Sequence, residues 1–382
     1  MKKILKYTFV CALALSVACS PKSAIKETRS NTPNVESFND SVLFNTLYAN
    51  AEMKYDFSKW EGRNFSQWQK NFRAELSEKM GLTKLNKQLA GYRPVVKMSP
   101  EIEYLDGFTR QRGTIWTEPE MPLPFVILMP TILGDNVPLV LALQGHSKNP
   151  ELFAGIYANE ADRKSGEEGE RNIGIQAVMN GCIAIVPTTR GFGATMTKRD
   201  IAKGEMKSCK RYLKRDLLVG RTPIGDRVWD VMKILDWALE EFPIDMDAVI
   251  VTGNSGGGTT TLFSGAMDER IKYSLPGSYF CTFVASIGNI THCDCNYIPG
   301  ILDLGEMGDV AGLTAPRVFR AINGVEDRIF PIAGTRTAYE DVKEIYTAAG
   351  VPDNCSLYEG PEGHRYYKAG IWPYLRSREV IK

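Results

Sequence analysis

Six consecutive residues constrain this chain more than any others: Gly253-Asn254-Ser255-Gly256-Gly257-Gly258. The apolar run Ala248-Val249-Ile250-Val251 leads into them, and a helix-like segment near 258–268 leads out. Strand, glycine-rich turn and helix are the context in which G-x-S-x-G acquires a mechanical meaning. Such a turn is too tight for side chains at its flanks, so glycines occupy them. It lifts one serine hydroxyl above the sheet edge, at the N-terminus of the following helix. Ser255 is therefore the expected nucleophile.

A serine hydroxyl is a weak nucleophile without a base, and the base needs an orienting acid. The chain has three histidines, His146, His292 and His364. Where the nucleophile sits on this kind of turn the chain order is serine, acid, histidine. Only His364 lies late enough to leave room for an acid-bearing strand in between. The acid is expected at Asp327, in the turn Asn323-Gly324-Val325-Glu326-Asp327 after an apolar strand near 317–323; Glu326, Asp309 and Asp303 are its rivals. An oxyanion needs backbone donors: the amide of Gly256, and a second from Gln144-Gly145-His146-Ser147, with His146 the candidate. Tyr279 and Phe280 follow the next strand and could line a substrate pocket, although core packing explains aromatics equally well. Arg190, in Arg190-Gly191-Phe192-Gly193, is a further candidate for the pocket floor.

The rest of the chain alternates in the same way. Apolar runs at 125–129, 139–143, 183–186, 273–276 and 355–358 read as buried strands, and Val228, Val231, Met232, Leu235 and Leu239 share one helical face behind Pro223. Another helix is expected over 333–349. Buried strands interleaved with amphipathic helices predict an α/β class with a mostly parallel sheet covered on both faces. Upstream, Trp68, Phe72, Leu76 and Met80 recur every fourth residue before Gly81, one helix stripe with its stop signal. The expected organisation is a signal segment over 1–19, a Ser/Thr/Asn/Pro-rich tether over 20–38, a helical extension over 39–94 and a catalytic domain over 95–382.

Lys2, Lys3 and Lys6 precede an apolar stretch, Thr8 to Ala18, too short to span a bilayer. Ser16-Val17-Ala18-Cys19 resembles the bacterial lipobox, with Ser16 where leucine is usual. The resemblance implies that Cys19 is lipidated and that the protein is tethered to a membrane of the cell envelope; a cleaved secretory signal is the alternative. The 382 residues carry 46 basic and 45 acidic side chains, a net charge of +1, which gives no footprint for a nucleic-acid partner. Beyond the signal segment six cysteines remain, and Cys182 and Cys281, in apolar runs, read as buried small hydrophobes. His292-Cys293-Asp294-Cys295 is not expected to hold a metal. One residue between the cysteines is tighter than common zinc spacings, and no second Cys/His pair stands nearby in sequence. It reads instead as a structural loop at the rim of the site. The basic run Lys203, Lys207, Lys210, Arg211, Lys214 and Arg215 reads as a solvated face or lid segment.

Several of these stretches together resemble bacterial α/β-hydrolases related to acetyl xylan esterases and dienelactone hydrolases. They are Asn254-Ser255-Gly256-Gly257-Gly258, Gly220-Arg221-Thr222-Pro223 through Val228-Trp229-Asp230, Thr291 through Gly300, Glu306-Met307-Gly308-Asp309, Ala315-Pro316-Arg317 and Ile329-Phe330-Pro331-Ile332. The resemblance runs over about 95 to 370. It implies an α/β-hydrolase fold and the triad Ser255, Asp327 and His364, with no cofactor. It also implies ester hydrolysis, carbohydrate deacetylation being the favoured class, on a small-molecule or glycan ester. Gln144 stands where the family usually has histidine. Ser255 stands where dienelactone hydrolases proper carry cysteine, which turns the expectation away from the dienelactone substrate. A serine peptidase on the same fold and a non-catalytic glycan-binding lipoprotein are the competing readings.

Overall fold

The computed structural model describes residues 39–60 and 64–382; the signal-like segment, Cys19 and the 20–38 tether lie outside them. Nine strands form one sheet: β1 Val95–Leu105, β2 Phe108–Glu118, β3 Met121–Pro130, β4 Val137–Leu143, β5 Ile183–Pro187, β6 Ile244–Asn254, β7 Tyr273–Gly277, β8 Val318–Gly324 and β9 Cys355–Gly360. Their order is β1-β2-β3-β5-β4-β6-β7-β8-β9. The first three form an antiparallel meander, β3 joins β5 antiparallel, and every later pairing is parallel. The runs read as buried strands all lie in β3 to β9. In β4 and β5 they are continuously apolar because helices cover both faces of a parallel sheet.

β1 and β2 have no counterpart in the sequence reading, and their burial explains why. β1 is exposed or half-exposed along its whole length, and both strands carry charges where an apolar alternation would be sought. Cross-strand ion pairs take its place: Glu103 on β1 meets Arg110 at 2.6 Å and Arg112 at 3.3 Å, both on β2.

The helices start and stop where their end residues dictate. The Thr222 hydroxyl accepts from the Gly225 amide at 3.0 Å ahead of Pro223, and the helix Pro223–Glu241 buries Val228, Val231 and Leu235. Upstream, the Asn64 side chain caps Phe65–Met80, and Gly81 ends it at φ 81°. The stripe Trp68, Phe72, Leu76 and Met80 is completely buried. It shares one core with Tyr55, Phe57, Ile224, Val228, Leu262 and Phe263, so the extension packs directly on the two helices that flank β6. The approach is close: a Cβ on Gly225 would stand 2.1 Å from the Met80 carbonyl oxygen. No helix among the described residues is long and apolar enough to cross a membrane.

Two rival acids are occupied by this extension. Asp309, buried, accepts from the Phe57 amide at 3.0 Å and the Glu306 amide at 2.9 Å. Asp303 pairs with Lys79 at 2.8 Å. Trp68 donates its Nε1–H to the Tyr55 carbonyl at 2.9 Å, so truncation removes both volume and a hydrogen bond. Trp68→Ala should cost about 3–5 kcal/mol in urea unfolding. A loss below about 1 kcal/mol would show that the extension is not part of the core.

Candidate active site

The site begins with a backbone that only a tight turn produces. Ser255 has φ 57° and ψ −117°, a conformation that costs a non-glycine residue about 1–3 kcal/mol. The surroundings hold it there. The Ser255 amide donates to the Gly277 carbonyl at the end of β7 at 2.9 Å. The end of β4 presses against the turn so closely that a Cβ on Gly257 would lie 2.2 Å from the Leu143 carbonyl oxygen, and one on Gly253 2.5 Å from the same atom. The chain turns directly into the helix Gly256–Met267, whose first amide, that of Gly256, has no carbonyl of its own helix to meet. Ser255 therefore stands at the positive end of a helix dipole.

β8 and β9 supply the two other members of the expected triad. His364 Nδ1 lies 2.8 Å from Asp327 Oδ2. The other carboxylate oxygen, Oδ1, accepts from the Ile329 and Phe330 amides at 2.8 and 3.1 Å, so the acid is held from both sides. The Asp327 side chain is fully buried, while that of His364 is 21% exposed. With an ionised carboxylate on Nδ1 the proton belongs there, leaving Nε2 as the free acceptor. Phe330 stacks on the imidazole, with centroids 5.8 Å apart and planes 20° apart, and fixes the ring's tilt.

Ser255, Gly256, His146, Tyr279 and His364 all line one cavity of about 280 Å³. His292 lines it as well, so all three histidines of the chain converge there. Their partners distinguish them. His292 Nε2 lies 2.9 Å from the Ser286 hydroxyl, and its ring packs on Phe330. The His146 ring lies across the nucleophile helix: a Cβ on Gly256 would come 2.8 Å from its Cε1. This brings the loop after β4 against the start of the nucleophile helix, the region from which a second oxyanion donor is expected.

Two expected pocket residues lie elsewhere. Arg190 is buried behind the site, bonded to Glu118 at 2.5 Å and to Asp230 at 2.6 Å; a guanidinium beside three carboxylates, Asp226 included, is drawn into the ion-pair network. Phe280 is also buried, edge-on to Phe319 in the core. The composition of the sequence did not single out Thr259 or Asn296, which line the cavity and bond to each other at 2.8 Å. Lys207, from the basic run, lines it too. Cys293 forms part of the rim as expected, but its loop also meets the loop after β4: His146 Nε2 is 3.3 Å from Cys295 Sγ.

This sheet, turn and connectivity define an α/β-hydrolase fold. The Abhydrolase family model (Abhydrolase_7) matches residues 22–358, and the chain belongs to that family. It is similar to the Bacillus subtilis (strain 168) protein named "Putative hydrolase YtaP", 23% identical over 248 residues, 59% of this chain and 81% of that protein. Among solved structures it resembles that of "a putative acetyl xylan esterase" from Bacteroides fragilis NCTC 9343, with a TM-score of 0.70, 18% identity, and coverage of 91% of this chain and 86% of that one. A glucuronoyl esterase from Solibacter usitatus shares the fold at a TM-score of 0.56 and 14% identity, over 76% of this chain and 86% of that one.

Burial, and then the neighbouring His146 and His364, push the His292 imidazole down to about 4 from its ordinary 6.5. The folded state thus binds fewer protons at this site than the unfolded chain. Its contribution to stability is complete above pH 6.5 and is lost as pH falls toward 4. Melting temperatures of wild type and His292→Gln at pH 7.5 and pH 4.5 should show a smaller acid-induced drop in the variant; equal drops would contradict the assignment.

Proposed function

We propose that this protein is a serine hydrolase of carboxylic esters, and that its esters are acyl groups, acetyl foremost, on a carbohydrate. The observation that carries this reading is the Asp327–His364 pair, 2.8 Å apart, facing the same cavity as the strained Ser255 turn. Ser255 Oγ attacks the ester carbonyl while His364 Nε2 takes its proton. Asp327 holds the Nδ1–H tautomer and stabilises the imidazolium. The carbonyl oxygen becomes an oxyanion between the amides of Gly256 and His146. Its collapse expels the alcohol, which takes the proton from His364, and leaves an acyl-Ser255. Water activated by the same histidine then releases the acid. Nothing in this sequence requires a cofactor at the reacting atoms.

A cavity of about 280 Å³ suits a short acyl group better than a long chain. The acetyl xylan esterase named among the structural neighbours supports a carbohydrate alcohol, and the fold leaves that choice to the site. Hydrolysis of p-nitrophenyl acetate, butyrate and octanoate by wild type and Ser255→Ala tests the reading. Turnover should be lost in the variant and should fall with acyl length in wild type. Persisting turnover in Ser255→Ala would overturn it, and hydrolysis of aminoacyl amides without acetyl esters would point to a peptidase. Asp327→Asn should lower kcat by roughly three to four orders of magnitude with KM little changed, the scale seen when a triad acid is neutralised.

We also propose that the chain is an envelope lipoprotein anchored through Cys19, on the support of the charged, apolar and small-residue pattern that precedes it. In a bacterial host, wild type should partition with membranes and Cys19→Ala should be released. Equal partitioning would count against the anchor.

A further inference from the structure

We propose that His146, Cys293 and Cys295, joined by Cys209, form a structural zinc site beside the nucleophile helix. The ligand atoms of His146, Cys293 and Cys295 lie within 4.8 Å of one another. Tetrahedral zinc, with bonds of about 2.3 Å to sulfur and about 2.05 Å to nitrogen, places nitrogen and sulfur about 3.6 Å apart. The 3.3 Å between His146 Nε2 and Cys295 Sγ is within a few tenths of that. The fourth donor would come from the first turn of the helix Cys209–Leu218: Cys209 is buried, shares a small core with Phe192 and Cys295, and lies beside both Cys293 and Cys295, but it stands outside the 4.8 Å group and would have to close on the ion. Of the run His292-Cys293-Asp294-Cys295 only the two cysteines belong to the cluster, His292 being turned to the Ser286 hydroxyl. Folding adds the other donors from the loop after β4 and from the 209–218 helix.

Charge identifies what this cluster would hold. Arg227 is buried, yet its Nε and Nη1 have no hydrogen-bond partner among the described residues. Its Nη2 donates to the Arg190 carbonyl at 2.9 Å and to Cys209 Sγ at 3.5 Å, and among the described residues no carboxylate accepts from it. Asp216 acts on it through space and without a hydrogen bond, and a buried guanidinium so weakly compensated is costly. Three thiolates and one neutral imidazole around a divalent ion carry a net charge of −1, which Arg227 complements. A disulfide is neutral and would leave Arg227 with no counter-charge bonded to it. Binding balances as one Zn²⁺ displacing three thiol protons to solvent, with no redox change. Soft sulfur donors with one imidazole select zinc over magnesium or calcium, which require oxygen ligands.

Four protein ligands close the coordination sphere, so the site would be structural. It would tie three segments around Ser255. His146 lies across Gly256, the Cys209 helix follows Lys207 at the cavity rim, and Asn296, next to Cys295, accepts from Thr259 on the nucleophile helix at 2.8 Å.

The test uses the full chain purified under reducing conditions, loaded with excess Zn²⁺ or Co²⁺ and desalted. Elemental analysis should find one zinc per chain, and X-ray absorption should find three sulfur neighbours and one nitrogen. The cobalt form should show the charge-transfer and ligand-field bands of tetrahedral thiolate coordination. Cys295→Ser and Cys209→Ser should each lose most of the metal, whereas Cys182→Ser, remote from the cluster, should keep it. Reduced wild type that retains no zinc, or zinc with only oxygen and nitrogen neighbours, would overturn the site. So would a native mass lower by two hydrogens that maps to a bond among Cys209, Cys293 and Cys295. The wild-type spectra decide the matter even if the variants fail to fold, and no substrate enters any readout, so the result is independent of the ester reading.

Discussion

The close contact between the end of β4 and the turn after β6 governs the rest of the site. Leu143 offers its carbonyl to a space that no Cβ at Gly253 or Gly257 could share. Only glycines at those places let the two strands and the helix meet, and the meeting forces Ser255 to a positive φ. The strain is local and is offset by the surrounding packing and by the Ser255 amide bond to β7. Because β4 and β6 are parallel neighbours, the same contact sets the loop carrying His146 against the first residue of the nucleophile helix. One steric constraint thus places the serine and both proposed oxyanion donors together.

The helix beginning at Gly256 has little freedom to absorb that strain. Its residues from Gly256 to Ala266 are buried, and the N-terminal stripe of Trp68, Phe72, Leu76 and Met80 packs into the same core as its Leu262 and Phe263. The extension is fastened on a second side by buried carboxylates. Asp309 takes the Phe57 amide, and Glu306 takes the Tyr48 hydroxyl at 2.9 Å while it also receives the Phe283 amide. Burial pushes both acids above the ordinary carboxylate range, which makes those hydrogen bonds hard to dispense with. The extension therefore acts as a brace behind the site, some distance in sequence from any residue that lines the cavity.

What the sequence reveals follows from where its signals arise. Strands buried on both faces and helices with one apolar face have strong periodicity, and β4, β6 and the helix Pro223–Glu241 were legible for that reason. β1 and β2 were not, because ion pairs and half-exposed positions replace the apolar alternation. For the site, the scarcity of histidine made His364 readable, the turn after an apolar strand made Asp327 so, and the structure brings those two side chains together. Arg190 and Phe280 were misplaced because sequence position near a strand end does not say which way a side chain points. The meeting of His146 with Cys293 and Cys295, and the nearness of Cys209 to those cysteines, was invisible for a different reason. Its members lie 63 to 149 positions from one another or, like Cys293 and Cys295, too close for a familiar motif. Only the parallel order of the strands brings them within reach.

Hydrolysis at this site requires that Ser255 be an activated nucleophile. Treating the purified protein with a fluorophosphonate and mapping the modified peptide by mass spectrometry measures that directly. A single adduct on Ser255, abolished by His364→Ala while the variant keeps its melting transition, is the predicted result. An unmodified Ser255 in folded wild-type protein, or an adduct that forms equally well without His364, would contradict it.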